Sequence, residues 1–265
     1  MKRLIIFTLI ICSVLSLVSC EDTINTLMLG LFRADPNSME IEGGFVHWVE
    51  VEGGYELDSI IMFDDNVKHT NFDIPREYNG KPVVSIGETA FFGWSDLESI
   101  TIPDTVKSIG NGAFAFCSSL KSIVIPDSVT YMGTRVFSYC HSLESVVMSE
   151  EITVLTSRMF EMCSMLKSIK TSLKLTVVED NVFDSCLSCP TLHLTKNITK
   201  FYYTTFAGQG YVNYDGTMEE WMQVERLIGE SDDDNSWTVF VRCTDGTLLV
   251  SDTIDHMVLP DGFVN

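Results

Sequence analysis

The chain has 265 residues, 37 of them acidic and 17 basic, and a formal net charge of −20. That balance argues against a nucleic-acid binder and against a protein that lies flat on an anionic bilayer, because both surfaces are polyanions. It keeps the molecule soluble; a cation-bridged or basic partner stays open, and solvation is the simpler explanation.

Residues 1–20 read as a targeting segment. Lys2 and Arg3 supply the positive start, and an apolar run from Leu4 to Leu15 follows. The run is too short for a spanning helix. It ends in Leu17-Val18-Ser19-Cys20, which resembles a bacterial lipobox. The resemblance implies a signal peptide over 1–19, cleavage before Cys20 and a diacylglycerol on its thiol. Acyl chains there would anchor the protein without any spanning helix. Residues 20–40 are then the lipidated cysteine and a tether. Residues 41–80 are read as an N-terminal cap, with strands over Phe45–Val51 and Tyr55–Phe63 separated by Gly43-Gly44 and Gly53-Gly54.

The middle of the chain is a tandem repeat. Phe91, Phe114, Phe137, Phe160, Phe183 and Phe206 follow one another at a single fixed interval. Aliphatic columns keep the same step, among them Val83 to Ile198, Ile86 to Phe201, Leu97 to Leu166 and Ile100 to Leu192. A period of roughly 20–30 residues with several apolar positions per unit means a stacked solenoid, since one unit cannot bury its own core. The segment Leu97–Pro103 alternates, with Ile100 and Ile102 inward and Thr101 outward, so each unit carries a short strand that Pro103 or Pro126 ends. Gly87, Gly110 and Gly133 mark a turn before the Phe. Thr156, Glu179 and Tyr202 replace them, which predicts less regular final units.

The runs IGETAFFGWSDLESITIP and IGNGAFAFCSSLKSIVIPDSV resemble the BspA-type leucine-rich repeat, a bacterial class of cell-surface proteins. The likeness covers about residues 74–206. The lead-in IPREYNGKPVVSIG and the segments YVNYDGTMEEW and VRCTDGTLL resemble the opening and closing parts of such arrays. The expected fold is therefore an α/β-type repeat solenoid rich in short strands, with the leucine-rich repeats over 81–206 and a β-rich C-terminal cap over 207–265. The resemblance implies adhesion and partner binding rather than a single chemistry.

Cys117, Cys140, Cys163 and Cys186 form a further column, with Trp94 in the first unit's place. Neighbouring members are within disulfide distance, and four thiols suit a metal. The reading preferred is a buried ladder of small apolar side chains, because Trp94 substitutes freely and parallel side chains suit a stack. The CxxC of Cys186 and Cys189 is read as two columns crossing.

Two outward columns flank the strand's buried residue. One is Ser99, Ser122, Ser145, Ser168 and Thr191; the other is Thr101, Val124, Val147, Lys170 and His193. The second is the candidate ligand-binding column. Strand propensity alone also accounts for Ser, Thr and Val there, and the two readings stay open. Glu98, Lys121, Glu144 and Lys167 alternate in sign along the stack and are read as a register device.

Past Phe206 the period breaks. Strands are expected over Tyr211–Tyr214, Trp237–Arg242 and Thr247–Val250, and a helix over Thr217–Ile228 with Thr217 as its cap. The run Ser231–Asn235 holds three consecutive Asp but lacks the Gly and distal Glu of a calcium loop, so it is read as a solvated loop. No G-x-S-x-G, P-loop, G-x-G-x-x-G or H-E-x-x-H occurs. The chain is read as non-enzymatic, with no catalytic or metal site and no cofactor. It is expected to be a lipid-anchored protein of the bacterial envelope, displayed on the outer membrane, whose strand face binds a host protein or glycan. The alternative is a periplasm-facing scaffold for other envelope proteins.

Overall fold

The computed structural model describes residues 30, 32–62, 67–188, 191–206, 209–227, 238–251 and 257–259. Cys20, Phe63, Cys189, the Asp232–Asp234 run and His256 lie outside them. The chain divides into two compact units, residues 1–48 with 60–67 and residues 49–59 with 68–265. In chain order the strands begin with β1 (Ser38–Ile41), β2 (Gly44–Val51), β3 (Gly54–Met62), β4 (Asn71–Asp73), β5 (Glu77–Tyr78) and β6 (Lys81–Ile86).

In the first unit β1 pairs antiparallel with β2, from Ser38 opposite His47 to Ile41 opposite Gly44. Among its described residues Phe32, Phe45, Val46 and Trp48 are buried, while Met39 and Ile41 are half-buried. The Phe32 and Phe45 rings stack 5.4 Å apart. This corrects the expected tether: residues 38–40 lie in a strand and Phe32 is core, because a chain segment that finds aromatic packing folds rather than trails.

The second unit holds the repeats, and each contributes two short strands. A three-residue strand recurs as β7 (Ser99–Thr101), β9 (Ser122–Val124), β11 (Ser145–Val147), β13 (Ser168–Lys170) and β15 (Leu192–Leu194). A two- or three-residue strand alternates with it as β8 (Ser108–Ile109), β10 (Tyr131–Met132), β12 (Val154–Leu155), β14 (Val177–Val178) and β16 (Lys200–Tyr202). Parallel pairing one repeat apart joins β9, β11 and β13 in the first series, as in Val146 against Ile123 and Ile169. In the second it joins β8 with β10, and β14 with both β12 and β16. The second series was not expected, since a two-residue strand shows no alternation to read. Residues Tyr55 to Leu57 of β3 pair in parallel with β6, and β6 with β8, which extends that series toward the N-terminus.

The six repeat phenylalanines are buried and their rings run as one stack, with centroids 4.9–5.6 Å apart and planes within 22°. Burying each contributes about 1.5–3 kcal/mol. The aliphatic columns are buried too; the exception is Thr171, half-buried where Ile102, Ile125, Met148 and Leu194 fill the core. The glycine column reflects close approach of successive turns: a Cβ on Gly110 would lie 2.5 Å from the Glu88 nitrogen, and one on Gly133 2.6 Å from that of Asn111. Where Thr156 takes over, its hydroxyl donates to the Gly133 carbonyl at 2.6 Å.

The cysteine column is a ladder. Cys117, Cys140, Cys163 and Cys186 are buried, and each thiol donates to the carbonyl of an earlier column phenylalanine at 3.0–3.2 Å, from Phe91 for Cys117 to Phe160 for Cys186. Burial pushes the Cys117 and Cys163 thiols from 9.0 up to about 12. Buried neutral thiols of this kind are poor nucleophiles.

Between the Gly column and the next Leu the chain is turn rather than helix. Alternate N–H groups here donate to the following repeat, as from Gly112, Phe114 and Phe116 to the carbonyls of Thr134, Val136 and Ser138. This third ladder holds two positive-φ residues per unit. One column is Thr89, Gly112, Arg135, Arg158 and Asn181; the other is Gly93, Phe116, Tyr139, Met162 and Ser185. For a residue with a Cβ the left-handed region costs roughly 1–2 kcal/mol.

Parallel stacking continues past Phe206, where the sequence period stops. β17 (Gln209–Tyr214) pairs with β15, and β19 (Thr238–Cys243) pairs with β17, both in parallel. Between them lie helix α1 (Met218–Met222) and β18 (Glu225–Leu227), which pairs with β16. The expected helix over Thr217–Ile228 is therefore shorter. Its start is as read: Thr217 caps it in a capping box with Glu220. It ends at Met222 because Val224 turns into the core and residues 225–227 join the sheet. β20 (Gly246–Ser251) and β21 (Met257–Leu259) then close the sheet in antiparallel fashion.

Candidate functional site

The candidate column lies on the outer face of the three-residue strands, and all five of its members are exposed. The alternation that buries Ile100, Ile123, Val146, Ile169 and Leu192 turns Thr101, Val124, Val147, Lys170 and His193 outward. The column does not lie on one sheet. Val124, Val147 and Lys170 face one another directly across β9, β11 and β13. Thr101 pairs with Asp73 of β4 in a separate two-stranded sheet. His193 belongs to the sheet of β15, β17 and β19, where it aligns with Asn213, which aligns with Arg242.

Charge on this face is partly committed. The Lys170 ammonium donates to Glu150 Oε1 at 2.8 Å. That hydrogen bond raises the Lys170 pKa and lowers that of Glu150, which also accepts from the Leu173 N–H. Lys170 is thus a less available cation than its column position implies. The alternating row beside it forms ion pairs one repeat apart, Lys121 with Glu98 and Lys167 with Glu144.

At the C-terminal end the face deepens into a cavity of about 330 Å³ lined by Thr191, Tyr211, Asn213, Phe240, Arg242 and Thr247. Two outward columns make it. In one, Tyr211 lies opposite Phe240 with rings 5.4 Å apart and 14° from parallel. In the other, Asn213, Arg242 and Thr247 follow His193 across the sheet. An aromatic wall facing an amide, a guanidinium and a hydroxyl is the composition of a small binding pocket. The strands over 211–214 and 237–242 were readable by alternation, so the outward residues could be named. Their register could not, because Tyr211 and its partner Phe240 lie far apart in the chain, with a helix and a further strand between them.

Residues 84–213 match the model of the BspA type leucine-rich repeat region in six copies. The repeats belong to the BspA-type leucine-rich repeat family. Among solved structures the chain is similar to a leucine-rich repeat protein from Eubacterium ventriosum, at 18% identity and a TM-score of 0.52, over 75% of this chain and 52% of that one. A leucine-rich repeat protein from T. pallidum matches at 21% identity and a TM-score of 0.46, over 66% and 86% of the two chains. A leucine-rich cell surface protein from Faecalibacterium prausnitzii matches at 15% identity and a TM-score of 0.29, over 75% of this chain and all of that one. No curated protein matches. The Eubacterium likeness supports the strand-rich repeat fold of this BspA-type array, of which the chain spans about half the other's length.

Proposed function

We propose that this BspA-type protein is a binding module of the bacterial cell envelope that engages a protein partner through the strand face of its repeats. The observation that carries the reading is the cavity where that face ends, with its aromatic wall and facing polar column. The flat rows of Ser, Thr and Val lead into it and offer a surface on which an extended partner lies across many strands. Anchoring through Cys20 and display on the outer membrane extend the proposal, and they rest on the lipobox-like Leu17–Cys20.

Two experiments test it. Immobilised extracellular-matrix proteins are probed with the purified chain and with Tyr211→Ala and Arg242→Ala variants. Truncating an aromatic or arginine anchor is expected to weaken binding at least about tenfold. Equal binding by all three proteins moves the site off this face. Protease shaving of intact cells, with a periplasmic control, reads the orientation. Loss of the repeats with the control spared agrees with display. Full protection turns the reading to a periplasm-facing scaffold.

A further inference from the structure

We propose that the turn face of the repeats, away from the strand face, carries a second site that takes a neutral oligosaccharide. Phe92, Phe116 and Tyr139 stand in a row there. Phe116 lies 4.4 Å from Tyr139 with planes 6° apart, and 5.1 Å from Phe92. Phe92 is 56% exposed and Phe116 41%, so core burial does not account for them.

The backbone does not account for them either. Phe116 and Tyr139 sit at φ +64° and +63°, in the column where the first repeat has Gly93 and the fifth Ser185. Glycine meets that conformation without strain, and an aromatic residue does not. Two aromatic side chains held in register on a strained backbone, one exposed and one half-buried, with the exposed Phe92 against them, are the pattern of a contact surface rather than of a scaffold.

The aromatic row borders a cavity of about 430 Å³, within the roughly 300–1,000 Å³ of small-ligand sites. Arg135, Arg158, Glu88 and Glu161 line it too. The Glu161 carboxylate is buried; it accepts from Ser138 Oγ at 2.9 Å and faces Arg158 at 3.6 Å and Arg135 at 3.8 Å, which holds the polar side in place. Both charge signs are present and balance. A polyanion gains little from such a lining and is repelled by a chain of formal charge −20. A cation meets two guanidiniums. A sugar has an apolar C–H face for the aromatic row and hydroxyls that both donate and accept, which matches donors and carboxylates set side by side.

The test is native affinity electrophoresis of the full chain in gels containing dextran, mannan, xylan or β-glucan, and separately polygalacturonate. The expected result is retardation by at least one neutral polymer, lost in Phe116→Gly/Tyr139→Gly and in Phe92→Ser, and kept in Tyr211→Ala. The double glycine variant is expected to melt within a few degrees of the parent, because it relieves the two strained positions. Phe92→Ser changes no positive-φ residue and reads the site even if the double variant folds poorly. No retardation by any neutral polymer, retardation by polygalacturonate alone, or retardation that survives Phe92→Ser overturns the proposal. Each of these outcomes leaves the strand-face reading intact, since that rests on Tyr211 and Arg242.

Discussion

Two aromatic stacks run along the repeats, the inner from Phe91 to Phe206 and the outer only from Phe92 to Tyr139, and they do opposite work. Phe114 and Phe137 are fully buried and nearly parallel at 5.6 Å. Phe116 and Tyr139 are stacked more closely, yet Phe116 is exposed and Tyr139 half-buried, both in a left-handed backbone. The ring contact is common to both, so it does not decide what a stack contributes. Burial does: the inner stack removes apolar area from water, while the outer one gains ring contact and carries backbone strain. The inner stack is expected to govern stability and the outer one recognition.

The largest effect that sharpens this contrast is on the inner stack. Phe137→Ala should cost about 3–5 kcal/mol and lower Tm by roughly 10 °C in thermal denaturation. A loss under about 1 kcal/mol would mean that the stack is ornamental and the aliphatic columns carry the core. Next comes the thiol ladder behind it. Unfolded cysteines ionise near pH 9, whereas Cys117 and Cys163 in the fold are held protonated up to about pH 12 by burial. The folded pKa is raised, so this contribution to stability is fully present below about pH 9 and is lost as pH rises toward about 12. Tm measured from about pH 8 to about pH 11 should hold to about pH 9 and fall above it, less steeply in a Cys163→Ala variant.

The outer stack should respond weakly. Tyr139→Gly removes a ring contact worth roughly 0.5–1.5 kcal/mol and relieves a strain of similar size. Its Tm should stay within a few degrees of the parent, and a fall as large as that of Phe137→Ala would erase the contrast. The smallest effect is expected from the charge row. The exposed pairs Lys121–Glu98 and Lys167–Glu144 contribute about 0.2–1 kcal/mol each at low salt. The Lys121→Glu/Lys167→Glu variant should melt a few degrees lower in low salt and approach the parent in high salt.

The sequence by itself determined the stack. A fixed repeat step places Phe under Phe and Cys under Cys, and parallel in-register pairing turns each column into a row of contacts. The direction of Thr101, Val124, Val147, Lys170 and His193 followed in the same way, because alternation along a strand is a local property. Tertiary structure alone decided what happens where the period ends. The stretch after Trp221 fits a helix by its own spacing, yet Glu225–Leu227 is a strand because β16 offers an open edge. The cavity beside Tyr211 exists because Phe240 arrives next to it from a distant part of the chain. The strain at Phe116 and Tyr139 was hidden for a related reason. Residue type favours an ordinary backbone there, and hydrogen bonds from the neighbouring repeat, such as Phe116 N–H to the Ser138 carbonyl, impose the left-handed one. Periodicity reports contacts that recur, and it is silent on partners that meet once.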